Sequence, residues 1–301
     1  MPPATLIGSP SNFHILHANY LDLTRSHPSP PPPTTILLPT RTYGVQFDPA
    51  KTALVIIDMQ NFFLSPALGR TQGAGHAAAK KLEEYAIPAA RKAGVRVVWL
   101  NWGLTEEDLE AMPPNVKRAF GDWGREVEVE AQSAAGLGDA AGSGKDKKVY
   151  RGMGTEMGTV EVDGEKVDAG SMLMRDQWNA ALFPPLDRMW EEGKGLSNLP
   201  DVWMHKNRMS GMWGVPGVFE EFLEREAIKT LLFTGVNTDQ CVAGTLTDAY
   251  NKGYDCIMLA DGCGTTSPTC AQEGIEYNAG RSWGFVTDCE TFAKAVGGFS
   301  S

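Results

Sequence analysis

The feature that most constrains the fold is an alternation of short apolar runs and amphipathic segments from residue 52 onward. Each apolar run has the length and β-branched content of a buried strand. Six such runs occur, at residues 54–57, 95–103, 201–208, 230–235, 255–261 and 284–288. Segments with helical spacing lie between them, at residues 78–94, 176–193 (broken at Pro184–Pro185), 218–228 and 271–282, with a further helix from Cys241 to Gly253. This order predicts an α/β fold, a three-layer α/β/α domain around a six-stranded, mostly parallel, doubly wound sheet.

The composition of the chain divides it into an N-terminal arm and a body. Residues 26–35 read SHPSPPPPTT, and such a stretch cannot join a helix or a central strand. We therefore expect residues 1–47 to form an extended proline-rich arm across the body or a neighbouring subunit, with a proline-rich ligand for another domain as the less favoured alternative. The body, residues 48–301, carries an insertion at about 104–200.

The insertion has little regular patterning. Residues 162–170 predict a short hairpin, and residues 133–148, rich in Gly, Ala, Ser and Lys, predict a flexible surface loop. A segment of this length usually forms a lid over the active site or a contact between subunits; the alternative is additional surface structure without either role. The sequence leaves these alternatives open.

Charge and cysteine content restrict the partners and the compartment. The formal net charge is −10 and the pI is about 5.1, which argues against binding to nucleic acids or anionic membranes. No apolar run approaches the ~20 residues of a membrane helix, and the N-terminus does not resemble a secretory signal. The five cysteines are an odd number without a CxxC pair, which favours reduced thiols and a cytoplasmic protein.

Polar residues follow the ends of the predicted strands, where parallel α/β sheets bind their ligands. Asp58, Asn101 and Lys206 follow the first three strands, the segment from Asn237 to Cys241 follows the fourth, and Asp261 ends the fifth. Each residue alone has an ordinary structural explanation. An Asp after a strand is often a helix N-cap, and a Lys is usually at the surface.

Cys241 has two competing interpretations. A free cysteine is most often a small buried hydrophobe. Against this, Cys241 is predicted to lie in the first turn of a helix capped by Thr238 or Asp239 and ended by Gly253. The N–H groups and partial positive charge of a first turn favour a thiolate and can stabilise an oxyanion.

Three ordered motifs support the catalytic interpretation. They are ALVIIDMQNFF around Asp58, HKNRMSGMWG around Lys206, and TGVNTDQCVAGTLTDAYNKGYDCIMLADGCGT around Cys241. With them the chain resembles the isochorismatase-like cysteine hydrolase superfamily, in its amidohydrolase branch, over roughly residues 48–292. The resemblance implies a Rossmann-like fold, a catalytic triad of Asp58, Lys206 and Cys241, and a homo-oligomer, dimer or tetramer.

The same resemblance implies an oxyanion hole. It places a cis peptide at Val236–Asn237, so that the N–H of Asn237 joins that of Cys241 in binding the oxyanion. In this chemistry Cys241 attacks the carbonyl, Asp58 accepts and returns the proton, and Lys206 stabilises both negative groups. The pocket wall is expected to include Phe63, Trp102, Trp213 and Val236, with residues 209–217 as a mobile loop over the site.

Two departures from the family pattern restrict the class of reaction and substrate that we expect. Nicotinamidases of this family carry an Asp-x-His type metal motif after the second strand, where this chain reads WLNWGLTEED. We therefore expect no metal, no cofactor and a substrate other than nicotinamide. Isochorismatases cleave a vinyl ether and generally lack the cysteine that is present here.

The leading prediction is a metal-independent cysteine hydrolase. It would cleave a C–N bond of a small-molecule substrate, an amide, ureide or carbamoyl compound, through a thioester intermediate. One alternative is an isochorismatase-type vinyl-ether hydrolase with Asp58 as the acid. The other is a non-catalytic binding or thiol-redox protein on the same scaffold.

Overall fold

The fold was examined in a computed structural model that describes residues 4–122, 127–128, 149–150 and 152–297. The strands of the described residues are β1 (Thr5–Ser9), β2 (Asn12–Leu16), β3 (Tyr20–Asp22), β4 (Ile36–Leu38), β5 (Gly44–Phe47), β6 (Thr52–Ile57), β7 (Arg96–Trp102), β8 (Val127–Glu128), β9 (Val149–Tyr150), β10 (Thr159–Val162), β11 (Glu165–Asp168), β12 (Val202–Lys206), β13 (Thr230–Val236), β14 (Asp255–Gly264) and β15 (Phe285–Thr287). The α-helices are α1 (Asn61–Leu64), α2 (Ala74–Lys81), α3 (Ile87–Ala93), α4 (Glu106–Glu110), α5 (Pro114–Ala119), α6 (Leu186–Lys194), α7 (Val218–Arg225), α8 (Ala243–Asn251), α9 (Thr269–Asn278) and α10 (Cys289–Gly297).

A six-stranded parallel sheet forms the centre of the molecule, in the order β12-β7-β6-β13-β14-β15. Every residue of β6 and β13 is buried, as expected for parallel strands that helices cover on both faces. The three-layer α/β/α prediction is confirmed, and the central sheet is wholly rather than mostly parallel. The six predicted apolar runs are its six strands.

The residues of each strand alternate between two apolar cores. Val55 and Ile57 face a core that also receives side chains from α7 and α8. Leu54 and Ile56 face the opposite core, with side chains from α2, α3 and α10. The predicted helix at residues 78–94 contains a π-helical turn, Leu82–Ala86, between α2 and α3, and it ends at Gly94 with φ 76°.

The N-terminal segment is more ordered than the sequence predicts. Residues 5–47 form a second sheet of five strands, in the order β1-β2-β3-β5-β4. Leu38, Val45 and Phe47 of this sheet are buried in the same core as Phe292 of α10. An extended arm was predicted for residues 1–47; five strands lie between residues 5 and 47 instead, and the longest described stretch there without strand or helix is residues 23–35, which include the prolines.

A buried cluster of charges attaches the N-terminal sheet to the body. The Asp255 carboxylate, at the start of β14, accepts hydrogen bonds from Arg25 Nη1 at 2.6 Å and Arg25 Nη2 at 2.8 Å. His14 Nε2 lies 2.7 Å from the same carboxylate, and Thr230 Oγ1 donates to it at 3.1 Å. We call these four residues the Asp255 cluster.

The described part of the insertion packs against the core that contains Cys241. Met112, Met153, Met172 and Leu173 of the insertion are buried there. The predicted hairpin is confirmed as β10 and β11, which pair antiparallel. The flexible loop predicted at residues 133–148 lies outside the described residues, and the choice between lid and oligomer contact stays open.

The predicted break of the 176–193 helix at Pro184–Pro185 is confirmed, although the piece before the prolines is only a short turn. A 3₁₀ turn spans Trp178–Ala180, and α6 begins only after Pro184 and Pro185. A proline lacks the N–H that a helix interior requires, so the pair separates the two pieces. Among the described residues, no helix is long and apolar enough to cross a membrane.

Candidate active site

The ends of four neighbouring strands position the candidate site. Asp58 follows β6 directly and has a left-handed backbone, with φ 53°. Trp102 and Lys206 are the last residues of β7 and β12, which pair in register at these two positions. Cys241 lies in the turn that follows β13. Since the strands are parallel, these side chains meet at one edge of the sheet.

The Lys206 ammonium connects the three residues of the predicted triad. Its Nζ lies 2.9 Å from Asp58 Oδ2 and 3.5 Å from Cys241 Sγ. It also donates to the carbonyl of Arg208 at 3.1 Å and lies 3.9 Å from the centroid of the Trp102 ring. Asp58, Lys206 and Cys241, far apart in sequence, are therefore in mutual contact.

Asp58 is fully buried, and few hydrogen-bond donors contact its carboxylate. Its Oδ1 accepts the Trp102 backbone N–H at 3.0 Å, and its other partners are Lys206 and Cys241. Burial raises the pKa of the Asp58 carboxyl, and this effect outweighs the opposing influence of the Lys206 charge. A carboxyl with a raised pKa can accept a proton and return it near neutral pH.

Burial dominates the electrostatic environment of the Cys241 thiol. Burial raises the pKa of Cys241 to about 12, with Lys206 lowering it and the Asp58 charge raising it. Burial therefore opposes the first-turn electrostatics that favour a thiolate. A nucleophilic role for Cys241 would require transfer of its proton to another group.

The turn that carries Cys241 differs from the predicted helix start. Thr238–Val242 form a π-helical turn, and α8 begins after it. The N-cap is Asn237, without a side-chain cap, rather than Thr238 or Asp239. The Asp239 carboxylate instead accepts a hydrogen bond from Thr265 Oγ1 at 2.6 Å. Gly253 follows the end of α8 with φ 86°, in the left-handed conformation that was predicted.

The backbone before Cys241 has the form that the family resemblance implies. The Val236–Asn237 peptide is cis, and Asn237 is buried. The carbonyl of Asn237 accepts the N–H groups of Gln240 and Val242, which fixes the turn beneath Cys241. The role of the Asn237 and Cys241 N–H groups as oxyanion donors stays a prediction.

The predicted wall residues have different environments. Trp102 is buried against Lys206, and Phe63 is half-buried beside Phe62, with ring centroids 4.9 Å apart. Val236 is buried in the core opposite to that of Cys241. Trp213 is 47% exposed; its Nε1 donates to Asn207 Oδ1, and the Arg208 guanidinium lies over its ring. Substrate contact by these four residues stays a prediction.

One positioning residue was missed in the sequence. Gln60 is fully buried; its Oε1 accepts the Trp102 N–H at 3.1 Å, and its Nε2 donates to the Trp102 carbonyl at 2.8 Å. Gln60 therefore fixes the strand end that supports both Asp58 and Lys206. The only signal was its place two residues after Asp58, and a glutamine there has no distinctive pattern.

The histidines and carboxylates of the described residues do not form a metal site. No group of three or more His, Cys, Asp or Glu side chains among those residues could hold a metal ion. His205 is exposed and accepts a hydrogen bond from Trp203 Nε1 at 3.3 Å, while the adjacent Lys206 is buried. The two residues point to opposite faces of the sheet, as neighbouring residues of a strand do.

Comparison with known sequences agrees with this geometry. A family model described as the Isochorismatase domain matches residues 148–290. The ureidoacrylate amidohydrolase RutB of Methylorubrum extorquens strain AM1 is 29% identical over 266 residues, covering 87% of this chain and 89% of that protein. RutB of Methylobacterium radiotolerans is 27% identical over 273 residues, covering 87% and 86%.

Solved structures share the fold at low sequence identity. A cysteine hydrolase from Pseudomonas syringae pv. phaseolicola superposes with a TM-score of 0.55 and 16% identity, over 87% of this chain and 97% of that one. The nicotinamidase PncA of Bacillus subtilis superposes with a TM-score of 0.51 and 18% identity, over 79% and 99%.

Proposed function

We propose that the chain is a member of the isochorismatase-like superfamily and acts as a metal-independent cysteine amidohydrolase on a small amide, ureide or carbamoyl compound. The observation that carries the proposal is the contact of Asp58, Lys206 and Cys241 at one edge of the sheet. A nucleophile, a proton acceptor and a cation are the groups that thiol-based hydrolysis requires.

Acylation begins from a neutral thiol. The Cys241 proton passes to Asp58 as the sulfur attacks the carbonyl carbon of the substrate. The raised pKa of the Asp58 carboxyl lets it hold that proton. Lys206, 3.5 Å from the sulfur, stabilises the thiolate character that develops during the transfer.

The intermediate then collapses and is hydrolysed. The N–H groups of Asn237 and Cys241 bind the tetrahedral oxyanion, and each donor of this kind contributes about 3 kcal/mol. Asp58 returns its proton to the leaving nitrogen, so that the C–N bond breaks and a thioester of Cys241 remains. A water molecule attacks the thioester, Asp58 takes its proton, and the thiol is regenerated with release of the acid.

The relatives direct the choice of first substrate. Both relatives named above are called ureidoacrylate amidohydrolases, and they match most of the chain. We therefore propose a ureido or carbamoyl compound as the substrate class, with ureidoacrylate as the first compound to examine. The WLNWG segment, without histidine, supports the proposal that hydrolysis proceeds without a metal.

The decisive experiment is a screen for ammonia release from small amides, ureides and carbamoyl compounds, each incubated with wild-type enzyme and with Cys241→Ala. We expect turnover of at least one ureido or carbamoyl compound by the wild type and none by the variant. An acyl adduct on Cys241 should be detectable by mass spectrometry after rapid acid quenching. The matched control is Cys256→Ala, which removes a different buried thiol.

Other outcomes would contradict the proposal. Turnover of a vinyl ether that survives Cys241→Ala would indicate an isochorismatase-type reaction with Asp58 as the acid. Absence of turnover across the whole panel, with folding confirmed by circular dichroism, would favour the non-catalytic alternative.

A further inference from the structure

A second cavity, of about 400 Å³, lies on the other side of strand β12 from the triad. His205 lines it, whereas the next residue, Lys206, contacts Asp58 and Cys241. Successive side chains of a strand point to opposite faces of the sheet. The cavity is therefore separate from the candidate active site, although Trp102 borders both.

Three half-buried tryptophans, Trp178, Trp190 and Trp203, form much of the cavity wall. The rings of Trp190 and Trp203 lie 5.3 Å apart at an interplanar angle of 63°. The ring of Trp203 in turn lies 5.9 Å from that of His205. Aromatic walls of this kind bind flat rings by stacked and edge-to-face contacts.

Arg175 is the only Lys or Arg among the described residues that line the cavity. Its Nε donates to the Gly103 carbonyl at 3.0 Å, which holds the guanidinium in place. The Asp108 carboxylate is near enough for the Arg175 charge to contribute to lowering the pKa of Asp108, but no salt bridge to Arg175 is formed among the described residues. Asp176 also lines the cavity but does not pair with Arg175.

Two further groups bear on the polarity of this region. Although His205 as a residue is exposed, the protein around its ring partly desolvates it; this desolvation, and secondarily the Arg175 charge, lower the pKa of His205, so the ring adds no second cation at pH 7. Asn101 pairs with His205 in the sheet register and lies on the same face. Asn101 is fully buried, and neither atom of its amide has a hydrogen-bond partner among the described residues.

We propose that this cavity binds a small planar aromatic carboxylate, with its ring against the three tryptophans and its carboxylate on Arg175. A bidentate guanidinium–carboxylate pair supplies both affinity and orientation. A neutral ring would leave the Arg175 charge without a partner, and a cationic ring would be repelled by it. The proposal concerns a site other than the triad and does not depend on the reaction proposed above.

Isothermal titration calorimetry with three probes of one ring system tests this site. Indole-3-acetate, indole and tryptamine carry a negative, zero and positive charge respectively. The titrations use full-length Cys241→Ala protein, so that no covalent chemistry contributes. We expect indole-3-acetate to bind about tenfold more tightly than indole, as a charge-assisted hydrogen bond implies. Tryptamine should bind more weakly than indole.

Matched variants locate the binding. Arg175→Gln should reduce the affinity for indole-3-acetate to that for indole, while Asp176→Asn, which changes the adjacent charged residue, should retain or increase it. Trp203→Leu should weaken the binding of indole-3-acetate and of indole. Circular dichroism and thermal midpoints establish that each variant is folded.

Three results would overturn the proposal. The first is no binding of indole-3-acetate, and the second is equal affinity for the three probes. The third is an Arg175→Gln variant that binds indole-3-acetate as tightly as its parent does. Tighter binding of tryptamine, abolished by Asp176→Asn, would assign the cavity to cations instead.

Discussion

Two buried carboxylates at opposite ends of the central sheet, Asp58 and Asp255, have opposite chemistry. Asp58 follows the end of β6, and Asp255 is the first residue of the parallel strand β14. Each contacts a basic side chain at short distance: Lys206 Nζ at 2.9 Å from Asp58, and Arg25 Nη1 at 2.6 Å from Asp255. Burial and a cationic partner are thus common to both.

The number of hydrogen-bond donors that contact each carboxylate distinguishes Asp255 from Asp58. Burial raises the pKa of both carboxyls, but at Asp255 the hydrogen bonds from Arg25 and His14 outweigh it and hold the pKa below its ordinary range. At Asp58 the ammonium of Lys206 and the Trp102 N–H do not outweigh burial, and the pKa is raised. A buried carboxylate that accepts several hydrogen bonds is a structural anchor, whereas one that accepts few can exchange a proton.

The largest expected effect comes from exchanging each carboxylate for an amide. Asp58→Asn should lower kcat by roughly 10²–10⁴-fold, the usual contribution of a general acid–base group. Asp255→Asn should leave kcat of the folded protein within about threefold of wild type, because its partners lie at the other end of the sheet. Steady-state kinetics on a substrate from the screen measures both. Equal losses of kcat in the two variants would contradict the different roles of the two carboxylates.

Asp255→Asn, rather than Asp58→Asn, should lower the free energy of unfolding. Asp255→Asn leaves the Arg25 guanidinium, with 11% of its side chain exposed, without its carboxylate. Loss of one partner of a buried ion pair costs about 3 kcal/mol of the free energy of unfolding. Urea denaturation at pH 7 measures this loss, with Asp176→Asn, an exposed carboxylate, as the control.

The pH dependence of that loss has a definite sign. The folded-state pKa of Asp255 lies below its unfolded value of about 3.9, so the ionised carboxylate stabilises the fold above about pH 4. This contribution disappears as the pH falls through the folded-state pKa. The difference between wild type and Asp255→Asn should therefore be largest near neutral pH and become smaller below pH 4. A constant difference from pH 7 to pH 3 would contradict this explanation.

A smaller effect is expected on the reactivity of Cys241. Asp58 raises the pKa of the thiol and Lys206 lowers it. Asp58→Asn should therefore increase the rate of alkylation of Cys241 by iodoacetamide at pH 8 about tenfold, and Lys206→Met should decrease it. Peptide-level mass spectrometry separates this reaction from that of Cys270, which is exposed. Slower alkylation in Asp58→Asn would contradict the assigned charges.

The smallest expected effect is on the pH–rate profile. Activity requires ionised Asp58, so kcat/KM should rise with pH through the pKa of Asp58, at a pH above the ordinary range of an aspartate. No alkaline increase from thiol ionisation should appear below pH 10, because the pKa of Cys241 is raised to about 12. An acidic limb at pH 4 or lower would indicate that Asp58 is not the proton acceptor.

The central sheet and its site were predictable because their signals are local and ordered. Each apolar run ends at a polar residue, and the parallel topology brings those ends together. These ends indicated where a site would lie, and the resemblance of three motifs to the isochorismatase-like superfamily then singled out Asp58, Lys206 and Cys241. The alternation of exposed His205 and buried Lys206 followed from the twofold periodicity of a strand.

The remaining features depend on partners distant in sequence. The strands of the N-terminal sheet contain three to five residues each, which is too short for the alternation of buried residues in β2, β4 and β5 to be recognised from the sequence, and β1 is exposed throughout. Arg25 binds a carboxylate 230 positions away, a pairing that spacing does not reveal. The thiol pKa of Cys241 likewise depends on how completely the fold buries it.

The long sequence separation within the Asp255 cluster has a consequence for synthesis of the protein. A ribosome adds roughly 5–20 residues per second, so Arg25 waits on the order of 10–50 s before Asp255 has been made. During that interval Leu38, Val45 and Phe47 lack the surface of α10 that covers them in the native protein. Residues 5–47 thus complete their tertiary contacts only late in synthesis, and until then their apolar side chains are exposed to water.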